Sequence, residues 1–182
     1  MNSNLKGILL LVMLVLASCS SGESDPFHIE PDRVGKLQRS TRISQLDSIY
    51  VADSLVRDSA MLTMGMNSGF QVFEKGGALL LTLSPASDTL ERIGNIRIHD
   101  KRFTTEKGIT LESTFAEVTA KYEIQKVITS FKNLVVLLKD TDVYFSISRE
   151  DLPSDLRFTT DPIEAVQIPD TTPIKYLMVA WD

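Results

Sequence analysis

The sequence predicts an α+β domain, an antiparallel sheet with two amphipathic helices packed on it. Three observations carry that expectation. Apolar residues fall at helical spacing between Ile43 and Val56, a capping box stands at Thr114 and Glu117, and two pairs of apolar runs are joined by turn residues.

In chain order, Ile43, Leu46, Ile49, Tyr50 and Val56 share one helical face, with Asp47, Asp53, Arg57 and Asp58 on the other. This spacing predicts a helix over 42–58, capped by Ser40 or Thr41. Met61, Met64 and Met66 fit neither period; they read as core filler, with a soft, adaptable binding surface as the competing role. Phe70–Phe73 and Leu79–Leu83 flank Glu74-Lys75-Gly76-Gly77, where two glycines supply positive φ for a tight hairpin. Asn95 to His99 alternates polar and apolar and predicts a third, half-buried strand.

The second helix follows Thr114, with Phe115, Val118 and Tyr122 as its apolar face. Leu134–Leu138 and the alternating Val143, Phe145 and Ile147 form another hairpin around Lys139-Asp140-Thr141-Asp142. Leu152-Pro153 ends it, because proline cannot donate to a ladder. Thr159 to Pro173, with three prolines, is a surface connection, and Ile174 to Trp181 is a final strand.

With an offset of 72 residues the halves match: Thr41 meets Ser113, Ile43 meets Phe115, Leu46 meets Val118 and Tyr50 meets Tyr122, and Gly35 or Gly108 precedes each helix. This suggests helix-then-meander units over 34–100 and 101–182; chance similarity between two capped amphipathic helices is the competing explanation.

Composition bounds the function. The chain has 182 residues, 43% of them apolar, with 24 Asp and Glu against 19 Lys and Arg. So apolar a chain is not disordered, and an acidic balance without a Lys/Arg block argues against nucleic acid as partner. One cysteine permits neither an intrachain disulfide nor a cysteine-rich zinc site.

The amino terminus carries an address. Lys6 precedes an apolar run from Ile8 to Leu16, and small residues Ala17 and Ser18 stand before Cys19. This is a signal peptide over 1–18, shorter than the roughly 20 apolar residues a membrane span needs. Leu16-Ala17-Ser18-Cys19 resembles the lipobox of bacterial lipoproteins. The resemblance implies cleavage between Ser18 and Cys19, a diacylglyceryl group on the Cys19 thiol and an acyl chain such as palmitate on the new amino terminus. Two or more chains hold a protein durably, where one does not. Residues 19–33, beginning with small and polar Ser20 to Pro26, read as a flexible tether before a single domain over 34–182. Ser20 directly after the cysteine implies, again by resemblance, the outer membrane with the domain facing the periplasm; export to the cell surface stays open. The order of elements also resembles the helix-plus-sheet modules of beta-lactamase-inhibitor-like and outer-membrane assembly lipoproteins, over some 15 residues per half.

No catalytic residue is assigned. His28 and His99 lie some 70 residues apart, too few and too far for a zinc site, and no nucleophile elbow, phosphate loop or dinucleotide fingerprint is present. His99-Asp100-Lys101-Arg102 is the densest polar cluster, but neighbours on a strand point to opposite faces, so His99 and Asp100 are not expected to pair. Asp140, Asp142, Glu150 and Asp151 lack the spaced oxygens of a calcium loop. The expectation is therefore a lipid-anchored, non-enzymatic binding module without metal or cofactor, acting on an envelope protein or other envelope partner through its sheet face or its Met-bearing segment. An envelope hydrolase and a carrier of a small apolar ligand are the alternatives.

Overall fold

The computed structural model describes residues 25–58, 69–88 and 91–181. Residues 1–18, Cys19 and the segment of Met61, Met64 and Met66 lie outside them.

The domain is built mostly from strands, which corrects the α+β expectation. Twelve strands among the described residues form two sheets. The larger is an antiparallel sheet of eight: β4 (Ser54–Asp58), β5 (Gly69–Phe73), β6 (Leu79–Pro85), β7 (Ile93–Ile98), β12 (Tyr176–Ala180), β11 (Val143–Ser148), β10 (Asn133–Leu138) and β9 (Ile124–Thr129), in that spatial order. Two four-stranded meanders are thus joined through their last strands, with Leu177 opposite Ile98 and Val179 opposite Ile96. The smaller sheet has the order β3 (Leu37–Gln38), β2 (Arg33–Val34), β1 (His28–Glu30) and β8 (Thr104–Thr105).

One row of the large sheet shows where the core sits. Leu81, Ile98, Leu177, Phe145 and Val136 are cross-strand neighbours, and all are essentially buried. Period-two alternation puts Gln71, Thr82, Arg97, Tyr144 and Lys126 on the opposite face. The small sheet joins the same core through Ile29, Val34 and Leu37.

The helix expected over 42–58 is the principal correction. A 3₁₀ turn at Ile43–Gln45 runs into a short helix, α1 (Leu46–Ile49), and the chain then turns into β4. Leu46 and Tyr50 are buried as the helical spacing required, but Val56 is 48% exposed on an edge strand, paired with Gln71. Strand pairing with β5 outweighs the weak propensity of a short amphipathic segment. The N-cap is Arg42, with Gln45 closing a capping box, and not Ser40 or Thr41. The second helix, α2 (Phe115–Thr119), starts at the Thr114 and Glu117 capping box but spans only five residues.

The folded chain begins before Val34. Ile29 is 1% exposed in β1, so the tether expected over 19–33 gives way to structure by His28. Strand β9 was not expected from the sequence. The Gly76-Gly77 hairpin is present, both glycines at positive φ, as is the hairpin turn at Lys139–Asp142, where Asp140 takes φ 56°.

The start of each half is built alike. Gly35 and Gly108 both have positive φ, and a side chain at Gly35 would place its Cβ 2.5 Å from the Pro26 carbonyl oxygen. Arg42 bridges Arg92 and Thr114 bridges Pro173, each just ahead of the last strand of its meander.

Candidate functional site

A groove of about 1050 Å³ lies at the β9 edge of the large sheet. One wall is the β9–β10 hairpin. Ser130 ties this turn closed: its amide donates to the Asn133 carbonyl at 2.9 Å, and its hydroxyl donates to the same oxygen at 2.7 Å. Phe131 and Lys132 are left at the apex, with Phe131 92% exposed.

The other wall follows Pro153, where a short helix, α3 (Ser154–Arg157), ends at Phe158, which is 77% exposed. This wall is pinned back to β9 by the Ile163 amide, which donates to Thr129 Oγ1 at 3.0 Å.

Arg149 joins the walls. Its guanidinium donates to the carbonyls of Ser130, at 3.3 Å, and Leu156, at 3.0 Å, and to that of Thr159. The side chain is buried, its Nε has no partner, and every acceptor is a neutral carbonyl. A buried charge without a counter-charge is costly, so Arg149 keeps a positive field in the groove.

Lys126, Lys132, Arg157 and Lys175 add four more cations, against one carboxylate, Glu150. Arg157 donates to the Leu152 carbonyl and Lys175 to Asn133 Oδ1 at 3.1 Å, both neutral acceptors. The described residues contain eight ion pairs, and none uses a groove cation. A chain of net charge −5 has therefore gathered five cations, none of them in an ion pair, around a single carboxylate.

The residues singled out from the sequence lie elsewhere. His99 sits on the non-core face, half-buried, its Nε2 2.9 Å from Thr82 Oγ1. Burial, and then the nearby Arg97 charge, push its pKa below the ordinary histidine value. Asp100 is held by the Arg102 guanidinium at 2.8 Å, which lowers its pKa, and it forms no hydrogen bond with His99. Asp142 pairs with Arg39, while Glu150 and Asp151 stand exposed in a 3₁₀ turn. Among the described residues no three His, Cys, Asp or Glu are placed to hold a metal ion.

A smaller cavity of about 160 Å³ lies between Tyr50 and β6, lined by Phe27, Phe103, Leu80 and Leu81, with Lys36 and Asp53 paired at 2.6 Å. The buried Tyr50 hydroxyl has no partner. At Tyr122, the matching tyrosine of the second half, the space is only about 20 Å³.

The groove is not legible in the sequence because its parts come from three separated segments. A signal was present in Phe131-Lys132 and Arg157-Phe158, aromatic residues beside cations and outside any apolar period.

No protein-family model and no curated protein matches this chain. A crystal structure of the uncharacterized protein yfeY from Escherichia coli superposes on 84% of this chain and 99% of its own, with a TM-score of 0.51 and 12% identity. The two share a fold. At that identity the likeness carries no site residue across.

Proposed function

We propose that this chain is a lipid-anchored envelope lipoprotein, attached through Cys19 at the outer membrane with its domain facing the periplasm, and that the β domain is a non-enzymatic binding module whose working surface is the β9-edge groove. The anchor rests on the lipobox Leu16-Ala17-Ser18-Cys19. The binding role rests on one observation: five cations without an acidic partner stand beside two exposed phenylalanines. Charge left uncompensated within a protein is available to a ligand of opposite sign, and exposed aromatic rings supply contact area at low entropic cost.

The test is complementation of a deletion strain under envelope stress. The parent chain should restore growth, whereas Cys19→Ser and the double variant Lys126→Glu/Lys132→Glu should both fail while accumulating as folded protein. Full rescue by the double variant would remove the groove from the function, and a fatty-acid label retained by Cys19→Ser would remove the anchor.

A further inference from the structure

We infer that the groove is a headgroup site for anionic phospholipid, its cations around the phosphates and Phe131 and Phe158 seated in the interfacial layer of the bilayer. This rests on the reading of the groove as a binding site and names the ligand.

The placement of the aromatic residues separates a bilayer from an acidic protein. In a protein interface, aromatic anchors and Arg share one dry, well-packed centre. Here the buried cation and the rings are separated. Arg149 is buried between the two turns, donating to the carbonyls of Ser130 and Thr159, the immediate neighbours of Phe131 and Phe158. The rings project from separate loops, 92% and 77% exposed, and each has a cation beside it in the chain, Lys132 or Arg157. Exposed aromatic residues with flanking Lys or Arg suit the membrane interface, where the ring reaches the acyl boundary and the cation meets phosphate. Each cation near an anionic surface adds to the attraction, and four of the five are solvent-exposed.

Geometry keeps the site near a membrane. The sheet register puts the Ser130–Asn133 turn at the same end as Leu79, and Phe27 lies at that end against Leu80 and Glu74, where the described chain begins. From Cys19 to Asp25 the chain can span at most about 20 Å. A domain held on that tether has its sheet end, hairpin included, within reach of the headgroups.

The experiment uses the full chain in lipid nanodiscs, with a Phe131→Trp variant and doxyl-labelled acyl chains as quencher. Trp181, the single tryptophan of the parent and 6% exposed, gives the background. Quenching of the variant in phosphatidylglycerol discs should be at least about twice that in phosphatidylcholine discs, and adding Lys126→Glu/Lys132→Glu should abolish the difference. Equal quenching in both lipids, or none above background in phosphatidylglycerol, overturns the inference; in the second case, binding of a poly-glutamate peptide would give the groove to an acidic protein. Free glycerol phosphate that protects residues 130–133 from hydrogen exchange in phosphatidylcholine discs, as strongly as phosphatidylglycerol does, would make the ligand a soluble anion and overturn the lipid assignment. The mass of the Cys19 peptide is read from the same sample. An unmodified Cys19 together with lipid-dependent quenching would retire the anchor and leave the headgroup site standing.

Discussion

Thr41 and Ser113 accept the same hydrogen bond 72 residues apart: the Gln38 amide donates to Thr41 Oγ1 at 3.0 Å, and the Thr110 amide donates to Ser113 Oγ at 3.2 Å. Both hydroxyl residues are buried. Two residues further on, the Ile43 amide donates to the Glu91 carbonyl and the Phe115 amide to that of Thr172, each at 2.8 Å. The same local device thus ties the start of each short helix to the run-in of its meander's last strand.

Thr41→Val and Ser113→Ala should each lower stability by about 1–2 kcal/mol, because each leaves a backbone amide short of its acceptor in a partly buried turn. Urea unfolding followed by circular dichroism measures this. A midpoint unchanged in both variants would show that the hydroxyls are replaceable by water.

Tyr50 and Tyr122 separate ring burial from hydroxyl chemistry. Truncation of either to Ala should cost about 2–4 kcal/mol through lost burial and the cavity left behind. Tyr50→Phe should be neutral or stabilising, since the hydroxyl it removes is buried without a partner. Burial, with a smaller contribution from Asp53, raises the Tyr50 pKa well above its ordinary 10. A raised folded-state value gives stability that is complete below pH 10 and lost as pH rises through the folded pKa. Alkaline destabilisation above pH 10 should therefore be weaker in Tyr50→Phe than in the parent, a comparison made by urea midpoints from pH 8 to 11.

His99→Gln should behave like the parent in envelope complementation, because His99 contacts Thr82 and has no carboxylate to orient it. Its folded pKa is depressed, so the neutral ring favours folding above pH 6.5, and that contribution is lost as pH falls through the folded value. The variant should lose less stability than the parent between pH 6.5 and 4.5. A folded, correctly localised His99→Gln protein that fails in cells would instead give the histidine a chemical role.

The hairpins were legible because each is set locally. Gly76-Gly77 supplies positive φ, and the runs of Leu, Val and Ile on either side repeat every second residue. The capping box at Thr114 was legible for the same reason, its partners being three residues apart. The length of the first helix was not. Ile43, Leu46 and Tyr50 meet the core in a helix of two turns, and nothing within 42–58 announces that Ser54–Asp58 will pair with Gly69–Phe73 across an intervening segment. β9 was hidden differently: its alternation is blurred by Gln125, Lys126 and Ile128, all exposed at a sheet edge that puts no strict demand on either face.

By itself the sequence determined the places where the chain must turn and the alternation that gives the core strands one apolar face, because each depends on residues adjacent or two to four positions apart. Only the tertiary structure decided that the two meanders meet through β7 and β12, that helix gives way to strand after Ile49, and that Lys126, Phe131, Arg149, Phe158 and Lys175 share one groove. Those outcomes depend on pairing between segments tens of residues apart, where backbone hydrogen bonding and burial across the whole sheet outweigh local propensity.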